Sequence, residues 1–227
     1  MKRTLVILAR NEIEALPKIF DRIPLSAADE TIAVDGQSTD GTADFLRSKG
    51  VKVLVQEKRG RGEAFILAGE AAQGSQIVFF SPDGNEDPED IAKLFAELDK
   101  GADIAIASRM MAGAFNEEDV HWWRPRKWAN QGFTLIANLL WNRGSYVTDT
   151  INGFRGLKRS VLKDLKPDAQ GYVIEYQLSI RAMKHGLKIV EIPTHEGQRL
   201  GGSSGAPAIK TGLIFLRGLW REIVLGS

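Results

Sequence analysis

Three short polar stretches in the first half of the chain carry the side chains best suited to chemistry. Ala9-Arg10-Asn11-Glu12 follows one apolar run, and Asp35-Gly36-Gln37-Ser38-Thr39-Asp40-Gly41-Thr42 follows a second. Ser81-Pro82-Asp83-Gly84-Asn85-Glu86-Asp87-Pro88 follows a later one. A carboxylate such as Asp35 can accept hydrogen bonds from a base or a ribose. Asp83 and Asn85, two apart on a turn, offer the hard oxygen ligands that Mg2+ or Mn2+ takes. An ion held there would bridge a diphosphate and neutralise charge developing on a leaving group. Asp40 and Asp87 stand where helices begin and read as caps. The bland reading of Asp83-Gly84 is a plain turn. Asp35 and Asp83 read as functional, because carboxylates that end buried parallel strands lie where ligands bind.

The elements that must position these residues are legible as an alternation. Leu5–Ala9, Thr31–Val34, Val51–Val55, Gln76–Phe80 and Ile104–Ala107 are short apolar runs that predict buried strands. Between them the pattern predicts helices over 13–23, 41–49, 62–73 and 88–99, with Gly50, Gly74 and Gly101 as stops. Such alternation predicts an α/β fold, a mostly parallel sheet flanked by helices, with ligands at the carboxyl ends of the strands. From Met110 to Asn152 the rhythm breaks. A polar stretch leads into Trp122-Trp123-Arg124-Pro125-Arg126-Lys127-Trp128 and then a helix to about Asn142. The pattern resumes with a strand over Gly153–Lys158, a helix over 171–185 and a strand over Leu187–Ile192. A loop, Gly201-Gly202-Ser203-Ser204-Gly205, precedes a last helix over Ala208–Leu225. The expected organisation is one domain over 1–207, with 208–227 as an amphipathic helix of the same domain or a membrane-surface element.

Composition narrows the class. With 227 residues, 43% of them hydrophobic, the chain can bury a sizeable core. Lys plus Arg is 30 against 29 for Asp plus Glu, which gives no sign of a nucleic-acid-coating protein. The absence of cysteine excludes disulfides, thiolate metal sites and a Cys nucleophile, and suits the cytoplasm. The N-terminal apolar run is too short for a secretory signal, and no stretch approaches the ~20 apolar residues of a spanning helix.

Val34-Asp35-Gly36-Gln37-Ser38-Thr39-Asp40-Gly41-Thr42 resembles the signature of family 2 glycosyltransferases with the GT-A (Rossmann-like) fold. Further motifs are similar to those of polyprenyl-phosphate glycosyltransferases such as dolichyl-phosphate mannose synthase. They are Arg59-Gly60-Arg61-Gly62-Glu63-Ala64, Ser108-Arg109, Val147-Thr148-Asp149-Thr150-Ile151-Asn152-Gly153-Phe154-Arg155, Glu191-Ile192-Pro193 and Arg199-Leu200-Gly201-Gly202-Ser203. The resemblance runs from about residue 4 to 205.

The resemblance implies a nucleotide site at Ala9, Asn11, Glu12, Asp35, Arg61 and Asp83. Arg10 stands where the family often has Tyr. The family's metal motif falls on Ser81, Asp83 and Asn85, so a serine replaces its first carboxylate and the implied Mg2+ or Mn2+ loses one anionic ligand. Arg109, Arg126 with Asn130, and Arg199 fall where the family binds an acceptor phosphate, and guanidinium groups grip phosphate oxygens two at a time. Catalytic roles fall to Asp83, Arg109 and Asp149, the last orienting acceptor or sugar, or else capping a turn. No general base stands out, since His121, His185 and His195 fall at no ligand or triad spacing. None is required: a phosphate monoester with a second pKa of roughly 6 is largely ionised at neutral pH.

The function so implied is transfer of a sugar from a nucleotide-diphosphate-sugar to a polyprenyl monophosphate, with inversion. The alternatives are a family 2 transferase with a soluble sugar or protein acceptor, and a non-catalytic nucleotide-sugar-binding protein. A lipid acceptor demands a bilayer surface or a membrane partner protein, so a cytoplasmic, peripherally attached protein is expected; a homo-oligomer is a further option. Two segments suit an interface: Trp122–Trp128, and the last helix with Ile209, Leu213, Leu216, Trp220 and Ile223 on one stripe among Lys210, Arg217 and Arg221.

Overall fold

Seven apolar segments pair into one sheet in the computed structural model, which describes residues 1–201 and 208–225. The strands are β1 (Arg3–Ala9), β2 (Glu30–Asp35), β3 (Lys52–Val55), β4 (Gln76–Phe80), β5 (Ile104–Ser108), β6 (Arg155–Lys158) and β7 (Ile189–Pro193), in the order β3-β2-β1-β4-β6-β5-β7. Their side chains alternate between two cores. Val6, Leu8, Ile32 and Phe79 face one layer, and Leu5, Ile7, Ala33 and Phe80 the other. The central strands β1, β4 and β5 are thus buried on both faces, as a helix-covered sheet requires, whereas edge strand β3, expected from the sequence to be buried, is partly exposed.

Helices α1 (Leu16–Ile19), α2 (Thr42–Ser48) and α4 (Asp90–Asp99) cover the second layer; α3 (Arg61–Ala71), α5 (Pro125–Trp141), α6 (Arg159–Leu165), α7 (Ile174–Lys184) and α8 (Ala208–Val224) cover the first. The Phe65 ring of α3 stacks on Phe79 of β4 at 3.9 Å between centroids. The fold is α/β and mostly parallel.

Two further expectations change, and one strand takes a direction that the sequence left open. The helix expected over 13–23 shrinks to the four residues of α1 and a 3-10 turn at Phe20–Arg22, hemmed in by Pro17 and Pro24. Strand β6 runs antiparallel to both β4 and β5, so the loop before it reaches the same sheet edge as the carboxyl ends of the other strands. Asp40 and Asp87 are not the capping residues: α2 starts after Gly41 and α4 after Glu89, neither with a side-chain cap. Asp40 still accepts from the Thr42 amide at 3.0 Å, and Asp87 from the Glu89 amide at 3.2 Å.

The last helix also differs in how it sits. Phe215, Leu219 and Glu222 form the buried side of α8, whereas Leu213, Leu216, Trp220 and Ile223, the stripe singled out from the sequence, face outward. Phe215 lies 5.4 Å from the Phe133 ring of α5 and 5.7 Å from Tyr176 of α7. Glu222 anchors the helix through Gln177 at 2.9 Å, Arg181 at 3.0 Å and Lys184 at 3.1 Å. The Gly-rich segment 202–207, the boundary placed at residue 207, and the side chains of 208–210 lie outside the described residues.

Candidate active site

At the carboxyl edge, the loops after β1 and β2 are stitched into one platform. Asn11 takes a left-handed conformation (φ 55°), which Asn tolerates better than most residues. Its amide donates to Ser38 Oγ at 2.9 Å and its Oδ1 accepts from the Thr39 amide at 2.9 Å. The Glu12 amide donates to Thr42 Oγ1 at 2.8 Å, the Ile13 amide to Asp40 at 3.1 Å, and the Gly36 amide to the Ala9 carbonyl at 2.9 Å. Asp35, buried at the end of β2, accepts from the amide and hydroxyl of Ser38. The serines and threonines of the STDGT stretch therefore fix the shape of the platform, and Asn11 spends its side-chain oxygen on the same task.

Beside it, the loop after β4 meets the loop after β7. The Leu200 amide donates to the Asp83 carbonyl and the Gly197 amide to the Asn85 carbonyl, both at 2.9 Å. Gly84 sits at φ +92°, and a Cβ there would come within 2.4 Å of Leu200 Cγ, so glycine alone allows the two loops to touch. Asp83 is 6% exposed. Its Oδ2 accepts from Arg199 Nη2 at 2.6 Å and its Oδ1 from the Asn85 amide at 3.2 Å. Glu12 lies 3.6 Å from the same Arg199 nitrogen. Burial and the neighbouring Asp83 charge push Glu12 up to about 7, against the pull of Arg199. Glu86 accepts from the Ser81 amide at 2.7 Å, and burial, then Asp83, push it up to about 8. Arg61 pairs with the buried Glu175 and donates to Ser81 Oγ at 3.3 Å.

These donors bear on the metal. No three His, Cys, Asp or Glu side chains converge as a metal cage among the described residues. Asp83 is the one carboxylate of the Ser81–Asn85 turn, with hydroxyl and amide oxygens alongside. That set fits a Mg2+-type ion held weakly by one carboxylate and completed by substrate phosphate oxygens.

A second cluster forms where β5, β6 and β7 end. Arg109 Nε and Nη2 donate to Asp149 at 2.8 and 3.2 Å, and its Nη1 to Glu196 at 3.3 Å. Asp149 is 1% exposed and also accepts from the amides of Ile151 and Asn152 at 3.2 and 3.0 Å. Burial by itself would raise this carboxyl, but the Arg109 charge and the hydrogen bonds outweigh it and hold it below the usual range. Asp149 thus stays ionised and shielded, an organiser of its loop. Glu191 fixes the same loop by accepting from the Thr148 and Asp149 amides at 2.7 and 2.8 Å. Arg155 is fully buried with its nitrogens on the carbonyls of Thr150, Asn152 and Glu175. Gly153 makes room for the Arg61–Glu175 pair, since a Cβ there would strike Arg61 Nη2 at 2.0 Å.

The arginines expected to form an acceptor-phosphate socket are each paired with carboxylates. Arg109 pairs with Asp149 at 2.8 Å and with Glu196 at 3.3 Å. Arg126, largely exposed, lies 3.3 Å from Glu117, with half-buried Asn130 one turn along α5. Arg199 holds Asp83, yet its Nε is buried without an acceptor among the described residues. Sequence reading missed Glu86, Glu175 and Glu196. Nothing local marks Glu175 and Glu196, because the contact between Glu175 and Arg61 spans 114 positions and that between Glu196 and Arg109 spans 87, whereas Glu86 meets the Ser81 amide five positions away.

A family profile described as glycosyl transferase family 2 matches residues 4–166. The chain belongs to that family. It is 31% identical to a glycosyltransferase of Mycobacterium tuberculosis over 97% of both chains. It is 31% identical to the dolichol-phosphate mannosyltransferase of Pyrococcus furiosus, over 97% of this chain and 63% of that one. With the polyprenol monophosphomannose synthase of Mycolicibacterium smegmatis the identity is 33%, over 89% and 80%. Glucosyl-3-phosphoglycerate synthase from Mycobacterium tuberculosis, crystallised with Mn2+, UDP and glucosyl-3-phosphoglycerate, superposes with a TM-score of 0.76 at 23% identity, over 97% of this chain and 79% of that one. The fold is therefore GT-A, and this family 2 member is a glycosyltransferase.

Proposed function

We propose that this enzyme moves a sugar from a nucleotide-diphosphate donor to a polyprenyl monophosphate, inverting the anomeric carbon, at a membrane surface. The observation that carries the acceptor class is an uncovered apolar belt. Most exposed large apolar side chains among the described residues fall in two segments. One runs through Trp122, Trp123, Trp128, Leu135, Leu139 and Leu140; the other through Leu213, Leu216, Trp220, Ile223 and Val224. The Phe133 and Phe215 rings meet at 5.4 Å between centroids, so α5 and α8 touch at that point. Arg126, Arg143 and Arg217 are exposed along them. Aromatic, aliphatic and cationic side chains in this mixture suit helices lying in a bilayer interface. A soluble acceptor has no use for such a belt. A polyprenyl tail does, since each methylene taken from bilayer to water costs about 0.8 kcal/mol. No helix among the described residues is long and apolar enough to cross a membrane, so the belt would act from one leaflet. The names of the Pyrococcus and Mycolicibacterium relatives point to the same acceptor class.

In this reading Asp35 accepts from the base or ribose of the donor, on the platform of Ala9, Asn11 and Glu12. Asp83, with Asn85 auxiliary, would hold a divalent ion, which when bound neutralises charge on the diphosphate leaving group. Arg61 adds positive charge beside Ser81. Arg199, with Arg126 and Asn130, takes the acceptor phosphate, and Arg109 and Asp149 keep the intervening loop in place. The attacking oxygen is already ionised, so no base is assigned. Labelled nucleotide-sugars offered with undecaprenyl phosphate in vesicles, and separately with 3-phosphoglycerate in solution, test the reading. Label entering the lipid phase supports it; label found only on phosphoglycerate rejects it.

A further inference from the structure

Asp83 is the carboxylate that the Ser81–Asn85 turn offers a metal, and in the folded chain it is already held by a cation. Arg199 Nη2 donates to its Oδ2 at 2.6 Å, while its Oδ1 accepts from the Asn85 amide. The Arg199 charge on Oδ2 repels a divalent ion brought to the same buried carboxylate, so the two cations compete for Asp83. Ser81 leaves no second carboxylate in the turn to share the load.

Arg199 itself is only half used. Nε and Nη2 form one edge of the guanidinium fork, the edge that meets carboxylates and phosphates with two parallel bonds. Here Nη2 is engaged and Nε is buried without an acceptor among the described residues. A buried unpaired donor on a charged group is costly, and an incoming oxyanion relieves it. The backbone keeps the pair adjacent whatever the side chains hold, because the Leu200 amide is bonded to the Asp83 carbonyl at 2.9 Å. Only side chains need move.

We propose that Arg199 is the resident counter-ion of Asp83 and exchanges with the divalent metal. Without metal it neutralises Asp83. When metal takes Asp83, the Nε–Nη2 edge of Arg199 is released to grip a substrate phosphate with both nitrogens. Metal and Arg199 therefore compete for Asp83, and metal binding and phosphate binding favour each other. The inference rests on the metal-assisted reading above, and extends it by making Arg199 a competitor for the metal ligand.

Mn2+ titrations followed by the electron paramagnetic resonance of the free ion test it. The full chain is compared with Arg199→Gln, Arg199→Lys and Asp83→Asn, without nucleotide and with UDP or GDP. Without nucleotide, Arg199→Gln binds Mn2+ about tenfold tighter than the unaltered chain, the effect of losing one charge-assisted competitor. Arg199→Lys stays near the unaltered chain because it keeps a point charge. Asp83→Asn removes the binding. In the unaltered chain with nucleotide, inorganic phosphate raises the melting temperature more with Mg2+ present than without it. Equal or weaker Mn2+ binding by a folded Arg199→Gln overturns the exchange, as does phosphate stabilisation indifferent to Mg2+. If the unaltered chain binds no Mn2+ even with UDP or GDP, the metal reading itself fails and the exchange fails with it.

Discussion

Asp149→Asn separates a proton-handling role for this residue from an anchoring one. The carboxylate accepts five hydrogen bonds, from the amide, Nε and Nη2 of Arg109 and from the amides of Ile151 and Asn152. Both oxygens are used: Oδ2 by the Arg109 amide and Nε, Oδ1 by the other three donors. The amide of asparagine has one acceptor oxygen, so its NH2 group must oppose at least two donors whichever way it turns. Each buried donor left unmade costs about 1–3 kcal/mol. Arg109, with 13% of its side chain exposed, loses its main partner and keeps only Glu196. Breaking one side of a buried pair costs about 3–5 kcal/mol, so a loss in that range is expected. Against a total stability of about 5–15 kcal/mol, it is a large fraction. Urea unfolding should show the midpoint falling sharply with an unchanged slope. Sugar transfer should fall because the loop it anchors loosens, with no new ionisation in the pH–rate profile. A variant as stable as the unaltered chain but devoid of transfer would refute the reasoning and return Asp149 to a direct chemical role.

Three further outcomes are expected. Asp35→Ala should weaken donor binding by about 1–3 kcal/mol in a calorimetric titration, the cost of unpairing one polar contact; an unchanged dissociation constant would reject Asp35 as a nucleotide ligand. Although burial alone would raise it, Glu222 is held below the ordinary 4.5 by hydrogen bonds from Arg181 and Gln177 and by the Arg181 charge. Its stabilisation is therefore present above that value and lost as pH falls through the lower, folded value. Melts of Glu222→Gln should accordingly flatten the acid limb of the stability curve, and an unaltered limb would count against the anchor. Leu216→Ser with Trp220→Ser should reduce co-sedimentation with anionic vesicles at low salt while leaving the fold intact, since both side chains face outward; undiminished sedimentation would move the contact elsewhere.

The amino-acid sequence alone determined where the buried strands lie and which polar residues follow them. Short runs rich in Val, Ile and Phe cannot stay in water, and a strand buried on both faces must end in a polar loop. Asp35 and Asp83 were legible at the sheet edge for that reason, and the STDGT stretch was legible as family 2. Tertiary structure alone decided what those residues touch. Arg199 meets Asp83 across 116 positions and Arg61 meets Glu175 across 114. The direction of β6, which swings the Asp149 loop to the active edge, is likewise silent in a four-residue strand, because side-chain alternation does not record which way a strand runs. In α8 the apolar positions wrap more than one face, so hydrophobicity by itself could not choose the docked side. Glu222 chose it. A carboxylate placed among Gln177, Arg181 and Lys184 turns Phe215 and Leu219 inward, and leaves Leu213, Leu216 and Trp220 uncovered.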